Sequence, residues 1–318
     1  MSSCRFLQIL ITLLFCLLIP FKIEGAILYL DSSQEEYRQD QTFMVNLRID
    51  IEGECINTVK ADLGFPQDVL EAIDFSQGNS ILSLWLKPAD INQSLGLISF
   101  IGGVPGGYCG RLPGDLGLSN LLGKIIFKVK EKVGVEPFSA ESQARVEFLD
   151  SSQVLLNDGF GTPAELTNKG ITLKILPKSV EIPAEDEWQK ELEKDIIPPE
   201  PFQIEINKDP SIFEGKYFAV FSTLDKQTGI DHYEIQEIPP KWMLKSTKFE
   251  KAESPYLLQD QSLKSIIKVK AVDKAGNERI AEYLPPKKPF PSWIIILILL
   301  ILIGSGFGFW FYRKLKLR

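Results

Sequence analysis

The feature that most constrains the fold of this chain is a strict alternation of apolar and polar residues in short runs. Between residues 43 and 51 every second side chain is apolar: Phe43, Val45, Leu47, Ile49 and Ile51. The same period of two recurs at 125–129, 144–148 and 171–175. Because successive side chains of a strand point to opposite faces, each run predicts a strand with one buried face.

Runs of this kind fill the segment 26–176, separated by clusters of turn-forming residues. Five further candidate strands bring the total to about nine: 26–30, 57–65, 69–75, 81–86 and 97–101. No long amphipathic helical pattern competes with them. The sequence therefore predicts an all-β, nine-stranded jelly-roll sandwich over 26–176.

A second strand-rich unit spans 202–284. Residues 230–238 alternate as a strand, and residues 265–283 predict a hairpin whose turn, 273–277, contains Gly276 and Asn277. We expect a smaller, immunoglobulin-like β-sandwich here. The segment 177–201 between the two units is acidic and rich in proline, with a candidate short helix near 185–194, and predicts a semi-rigid linker between domains that fold independently.

Both ends of the chain are apolar. Residues 1–25 have the pattern of a signal peptide, whose cleavage the sequence leaves open. Residues 293–312 are uncharged and are followed by a basic tail, 313–318, which predicts a transmembrane helix after a spacer, 285–292. Together they predict a single-pass protein of the cell membrane, with its N-terminus outside, its C-terminus in the cytoplasm and its two domains on the cell surface.

The charge of the chain restricts its partners. The net charge is −7 overall, and the region between the two apolar ends carries an excess of about 12 negative charges. This charge argues against nucleic acid and anionic lipid as partners of that region.

Two of the four cysteines lie in the first domain, and two belong to the N-terminal apolar segment. An even number in an exported domain favours a disulfide between Cys55 and Cys109. Two reduced, buried thiols are the alternative.

The sequence holds no grouping of residues that predicts catalysis, so we expect no enzyme activity and no cofactor. His232 is the only histidine, and it has no second histidine or candidate nucleophile near it. No metal site is predicted. Asp158 is a weak candidate for a calcium ligand, and a tight turn explains it better because alternating carboxylates are missing.

Three residues are candidates for ligand contact. Tyr108 and Arg111 lie on a predicted Gly-rich loop, 102–115, for which a purely structural crossover is the alternative. Trp85 offers a flat ring for a sugar, although it shares its parity with Ile81 and so fits a core position.

Four segments, 53–75, 96–103, 122–130 and 155–162, resemble a cohesin domain, a nine-stranded sandwich related to carbohydrate-binding modules. The resemblance covers about 150 residues and implies recognition of a carbohydrate or of a dockerin-type protein module outside the cell. The second unit resembles fibronectin type III or immunoglobulin-like modules of bacterial surface proteins. An adhesion or binding protein is the leading hypothesis; a purely structural envelope or stalk protein and a membrane-tethered polysaccharide hydrolase are the alternatives.

Overall fold

The chain folds into two β-sandwiches in succession, followed by a C-terminal helix. The structure is a computed structural model that describes residues 25–51, 53–110, 119–131, 142–178, 186–240, 248–286 and 292–316. The all-β class predicted for both domains is confirmed.

The first domain has two sheets packed face to face. Its strands are β1 (Ala26–Ser32), β2 (Glu36–Arg38), β3 (Thr42–Ile51), β4 (Ile56–Gly64), β5 (Leu70–Ser76), β6 (Leu84–Asn92), β7 (Leu97–Tyr108), β8 (Leu121–Val129), β9 (Ser142–Phe148), β10 (Gln153–Leu156), β11 (Leu166–Lys169) and β12 (Ile171–Leu176). One sheet has the order β11-β1-β3-β8-β5. The other has the order β2-β12-β9-β4-β7-β6, with β10 also paired to β4.

The core of this domain lies between the two sheets and is built by the alternation seen in the sequence. Phe43, Val45, Leu47 and Ile49 of β3 are all fully buried. They face residues such as Leu63 of the opposite sheet within one hydrophobic cluster. Burial of this apolar surface contributes about 25 cal/mol per Å² and is the main force that holds the sheets together.

The predicted count of nine strands is wrong: the described part of the first domain has twelve. β2, β10 and β11 have only three or four residues each, too few to show an alternation. The predicted Gly-rich loop also differs, because β7 continues through its first half to Tyr108. Glycines carry no side chain, so the glycine-rich half of β7 shows no alternation of apolar and polar residues in the sequence.

The second domain is a smaller sandwich. Its strands are β13 (Glu205–Lys208), β14 (Tyr217–Val220), β15 (Ile230–Ile238), β16 (Glu250–Ala252), β17 (Tyr256–Leu257), β18 (Ile266–Asp273) and β19 (Glu278–Tyr283). They form one sheet β13-β14-β17 and another β16-β15-β18-β19. Ala219, Phe221, Ile235 and Val269 are among the buried residues of its core.

The described residues contain two α-helices, α1 (Glu187–Lys194) in the segment between the domains and α2 (Ser292–Lys316) at the C-terminus. Among the described residues, no helix combines the length and the apolar character that crossing a membrane requires. The predicted single-pass location in the cell membrane is therefore wrong, and anchoring through the C-terminal helix is not supported. The predicted signal peptide lies outside the described residues apart from its last position.

Candidate functional site

The outer face of the sheet that contains β4, β6 and β7 presents side chains in three cross-strand rows, which are separated by register shifts in β6. In the central row, Ile101 of β7 pairs with Lys60 of β4 on one side and with Lys87 of β6 on the other. We call this surface the open sheet face and define it by the side chains of the three rows: Leu84 and Thr58 with Gly103; Lys87, Ile101 and Lys60; Asp90, Ser99 and Asp62.

Polar contacts hold the charged side chains of this sheet in place. Lys87 Nζ donates a hydrogen bond to Ser99 Oγ (2.7 Å), and Lys60 Nζ lies 3.1 Å from Asp62 Oδ2. Further along the sheet, Arg145 Nε lies 2.8 Å from Glu147 Oε2. The open sheet face is thus a polar surface held by these contacts, with Leu84 and Ile101 as apolar side chains among the charges.

Helix α1 lies against part of the outer face of the opposite sheet, next to β3. Trp188 of this helix is only 7% exposed. Glu187 Oε2 accepts a hydrogen bond from the backbone N–H of Met44 in β3 (3.3 Å). Burial at this contact lowers the pKa of Lys124 in β8, and Glu191 of α1 acts in the opposite direction. Part of one outer face of the first domain is therefore occupied by the chain itself.

The structure turns the aromatic candidates from the sequence towards the core. The ring of Trp85 lies 5.8 Å from that of Phe75 and 5.5 Å from that of Phe100, measured between centroids. Tyr108, at the end of β7, also packs against the core cluster. Arg111 lies outside the described residues. The structure therefore brings Trp85 and Tyr108 to the core side of the sheet and leaves no aromatic platform among the described residues of the open sheet face.

Cys55 and Cys109 form a disulfide that closes a loop across 54 positions of sequence. It joins the residue before β4 to the residue after β7, two strands that are already paired along their length. The backbone N–H of Asn157 donates to the carbonyl of Cys55 (2.8 Å), so the loop 157–162 is held at the same end of the domain. The disulfide thus fixes one end of the sheet that carries the open sheet face.

Asp158 occupies an exposed turn. Its Oδ1 accepts a hydrogen bond from the backbone N–H of Phe160 (2.8 Å), and a side-chain hydrogen bond from Thr162 lowers the pKa of its carboxyl. Among the described residues, no pair of metal-ligating side chains lies close enough to Asp158 to complete a site. These contacts are those of the tight turn that the sequence offers as the alternative to a calcium ligand.

His232 lies on β15, with both ring nitrogens next to carboxylates. Nδ1 lies 2.5 Å from Asp231 Oδ2, and Nε2 lies 3.5 Å from Glu234 Oε1. Among the described residues, the side chains next to the two nitrogens are carboxylates and not a hydroxyl or thiol that the ring could activate by taking a proton. The histidine is part of a charged surface of the second domain.

Sequence reasoning missed one buried cluster of carboxyl groups. Asp195, just after α1, lies with Asp225 and Asp273 of the second domain, and one oxygen of each lies within 4.8 Å of the others. Burial raises the pKa of Asp273, and the neighbouring charges of Asp195 and Asp225 add to the effect. The three residues are 30 and 48 positions apart along the chain, so no local motif could have revealed the cluster.

No family model and no curated protein matches this sequence. The structure is similar to solved cohesin modules. One, the cohesin module of a family 33 glycoside hydrolase from Clostridium perfringens, is 9% identical, with 49% of this chain and 99% of that chain covered and a TM-score of 0.35. A non-cellulosomal cohesin from Archaeoglobus fulgidus is 16% identical, with 48% and 91% covered and a TM-score of 0.36.

A third similar structure is the sixth cohesin of scaffoldin B from Acetivibrio cellulolyticus, solved in complex with a dockerin. It is 17% identical, with 48% of this chain and 99% of that chain covered and a TM-score of 0.34. Identity and TM-score are low in all three cases, and the sandwich described above rests on its own strand pairing.

Proposed function

We propose that this chain is a non-catalytic binding protein whose first domain recognises a protein module through the open sheet face. One observation carries this proposal: α1 lies against part of the outer face of one sheet, whereas the outer face of the other presents exposed side chains that are held by polar contacts. We therefore assign the partner to the open sheet face.

The chemistry of the open sheet face favours a protein over a carbohydrate. Sugar recognition on a flat sheet relies on exposed aromatic rings, and Trp85 and Tyr108 pack against the core instead. The centre of the face is Ile101, flanked by Lys60 and Lys87. This arrangement suits a partner that offers an apolar side chain surrounded by carboxylates.

A dockerin-type module is the first partner to test. The sequence resembles cohesin domains, and the similar cohesin from Acetivibrio cellulolyticus was solved with a dockerin bound to it. We propose the second domain as an immunoglobulin-like spacer. The disulfide between Cys55 and Cys109 favours an oxidising compartment as the place of action.

The absence of catalysis is also part of this proposal. The environment of His232 supports it, because Asp231 and Glu234 occupy both ring nitrogens. An enzyme would need a base with a free nitrogen or oxygen directed at the reacting group.

The test is a calorimetric screen of the full chain against dockerin-type modules and soluble polysaccharides, followed by one substitution. Ile101→Asp places a carboxylate between two lysines, so it is compatible with folding, but it repels an acidic partner. We expect affinity for the protein module to fall at least about tenfold.

The matched control is Ile280→Asp in β19, where the cross-strand neighbour is also a lysine, Lys270. We expect this variant to bind as the unchanged protein does. Binding of a polysaccharide in place of any protein module, or equal affinity of the Ile101→Asp variant, would contradict the proposal.

A further inference from the structure

Three sets of contacts join the two sandwiches and the segment between them. We infer that the contacts of α1 and of the second domain with the first domain fix the two domains relative to each other, so that they form one rigid unit. We call this contact region the junction and define it by α1, residues 74–78 of the first domain, and residues 225–229 and Lys274 of the second. This inference does not depend on the identity of any partner.

The first part of the junction anchors the start of α1 to the first domain. Ser33 Oγ donates a hydrogen bond to Glu187 Oε1 (2.5 Å), next to the bond between Glu187 and the backbone of Met44. Asp186 forms a parallel bridge with Thr42 and also caps the helix by accepting from the N–H of Gln189. An eight-residue helix is unstable by itself, so its formation here depends on these contacts and on the burial of Trp188.

The second part is a direct approach of two backbones. A Cβ atom added at Gly78 would lie 2.0 Å from the carbonyl oxygen of Gln227 in the second domain. Gly78 does not have a positive φ, so glycine is required here for the close approach and not for its backbone conformation. A side chain at position 78 would therefore disturb the contact between the two domains.

The loop that meets Gly78 is held in a fixed shape. Asp225 Oδ1 accepts hydrogen bonds from the backbone N–H groups of Gln227, Thr228 and Gly229 at 3.0, 2.9 and 2.9 Å. This turn presents the carbonyl of Thr228 to the first domain, where it accepts a buried hydrogen bond from Ser76 Oγ (2.6 Å). A preorganised loop loses little conformational entropy when it docks.

The third part is an ion pair between the domains. Lys274 Nζ lies 2.7 Å from both carboxylate oxygens of Asp74, and the lysine side chain is 11% exposed. The backbone N–H of Lys274 donates to the carbonyl of Gly229 (3.0 Å), which ties the lysine to the same loop. An ion pair that is largely removed from water is costly to open, because a desolvated charge then lacks its partner.

The chain that leaves α1 is in turn fixed to the second domain. Asn277 Nδ2 donates to the carbonyl of Asp195 (3.1 Å), and Arg279 Nε donates to the carbonyl of Pro199 (2.8 Å). Thr228 Oγ1, in the loop that touches the first domain, donates to Asp195 Oδ2 (2.6 Å). Residues 186–201 thus act as a bridge bonded on both sides, where composition predicts a semi-rigid spacer.

The test is hydrogen exchange of the full chain followed by mass spectrometry, comparing Gly78→Ala with the unchanged protein. The added methyl group acts as a wedge against Gln227, so we expect exchange in peptides covering 225–229 and 74–78 to rise at least about tenfold, with β3 and β15 unchanged. The matched control is Gly64→Ala, where the nearest atom to the new Cβ is a flexible leucine terminus at 3.4 Å and no increase is expected.

If Gly78→Ala fails to fold, Lys274→Met provides the same test, with Lys268→Met as its control because Lys268 pairs with Glu282 inside the second domain. We expect faster exchange in 225–229 for the first lysine variant only. Two results would overturn the inference: exchange of 225–229 in the unchanged protein at the rate of an unprotected loop, or equal exchange in each junction variant and its control.

Discussion

Lys274 and Asp74 lie 200 residues apart in the chain, and their side chains form a bidentate ion pair across the boundary between the two domains. Each residue belongs to a strand end or turn of its own sandwich, so neither domain needs the pair for its own core. The pair therefore reports on the packing of one domain against the other.

Removal of the acidic partner should destabilise the chain measurably. In Asp74→Asn, Lys274 keeps its charge in a largely buried place without a carboxylate, and we expect the free energy of unfolding to fall by about 1–2 kcal/mol. Denaturation by urea measures this change. Asp90→Asn, which weakens an exposed pair with Lys87 at 4.0 Å, should cost less than about 0.5 kcal/mol; equal losses in the two variants would mean that Lys274 is solvated.

The disulfide should contribute strongly to the stability of the first domain. Its loop spans 54 positions, and loss of the bond in Cys55→Ser should lower the free energy of unfolding by about 4 kcal/mol in the chain-entropy model. Reduction of the unchanged protein should reproduce the loss, and the comparison of oxidised and reduced samples in urea measures it. Identical stability of both samples would be incompatible with the prediction.

Trp188 should hold α1 against the first domain. In Trp188→Ala the buried ring is lost, and we expect the helix to detach at a cost of about 2–4 kcal/mol. Limited proteolysis should then cut within 186–201 at an increased rate. Ile196→Ala is the control, because its side chain is 79% exposed and its loss should leave the cleavage rate unchanged; protection of 186–201 in the Trp188→Ala variant would show that the helix does not depend on its tryptophan.

Asp273 should make stability decrease as the pH rises. Burial raises the pKa of its carboxyl above the usual value, so the folded state holds the proton to a higher pH than the unfolded state does. Its contribution is fully present below the unfolded pKa of about 3.9 and is lost as the pH rises through the folded pKa. We therefore expect Asp273→Asn to gain stability relative to the unchanged protein between pH 4 and pH 7, measured by urea denaturation in steps of pH.

Asp260 provides a control of opposite sign for the pH experiment. Burial acts to raise the pKa of its carboxyl, but hydrogen bonds from Ser262 and Ser265 outweigh that effect and the net pKa is lowered. Its contribution is present above the unfolded pKa and is lost as the pH falls. Asp260→Asn should therefore be less stable than the unchanged protein at neutral pH, and the difference should shrink as the pH falls below the unfolded pKa of about 3.9. A difference that grew towards acid pH would contradict the assignment.

The sequence predicts the strands well where apolar and polar side chains alternate. β3 and β8 are examples, because Phe43 and Phe127 belong to runs in which every second side chain enters the core. The C-terminal half of β7 was missed because Gly102, Gly103, Gly106 and Gly107 give no such signal.

The junction could not be predicted from the sequence. Gly78 is glycine only because Gln227 approaches it, and the two residues are 149 positions apart. Among the predicted ligand contacts, the position of Trp85 in its strand fits either a core residue or an exposed ring. Its packing against Phe100 fits the core alternative. Contacts between distant segments leave no local pattern, and a single sequence does not reveal them.

Helix α1 also has a protective effect. Without it, β3 and β8 would present Met44 and Leu121 on a broad sheet to any other protein that collides with it, including a second copy of the chain. The helix lies over part of these strands and turns charged side chains such as Glu193 and Lys194 towards the solvent. It thus places a polar surface where apolar side chains of the sheet would otherwise be open to such contacts.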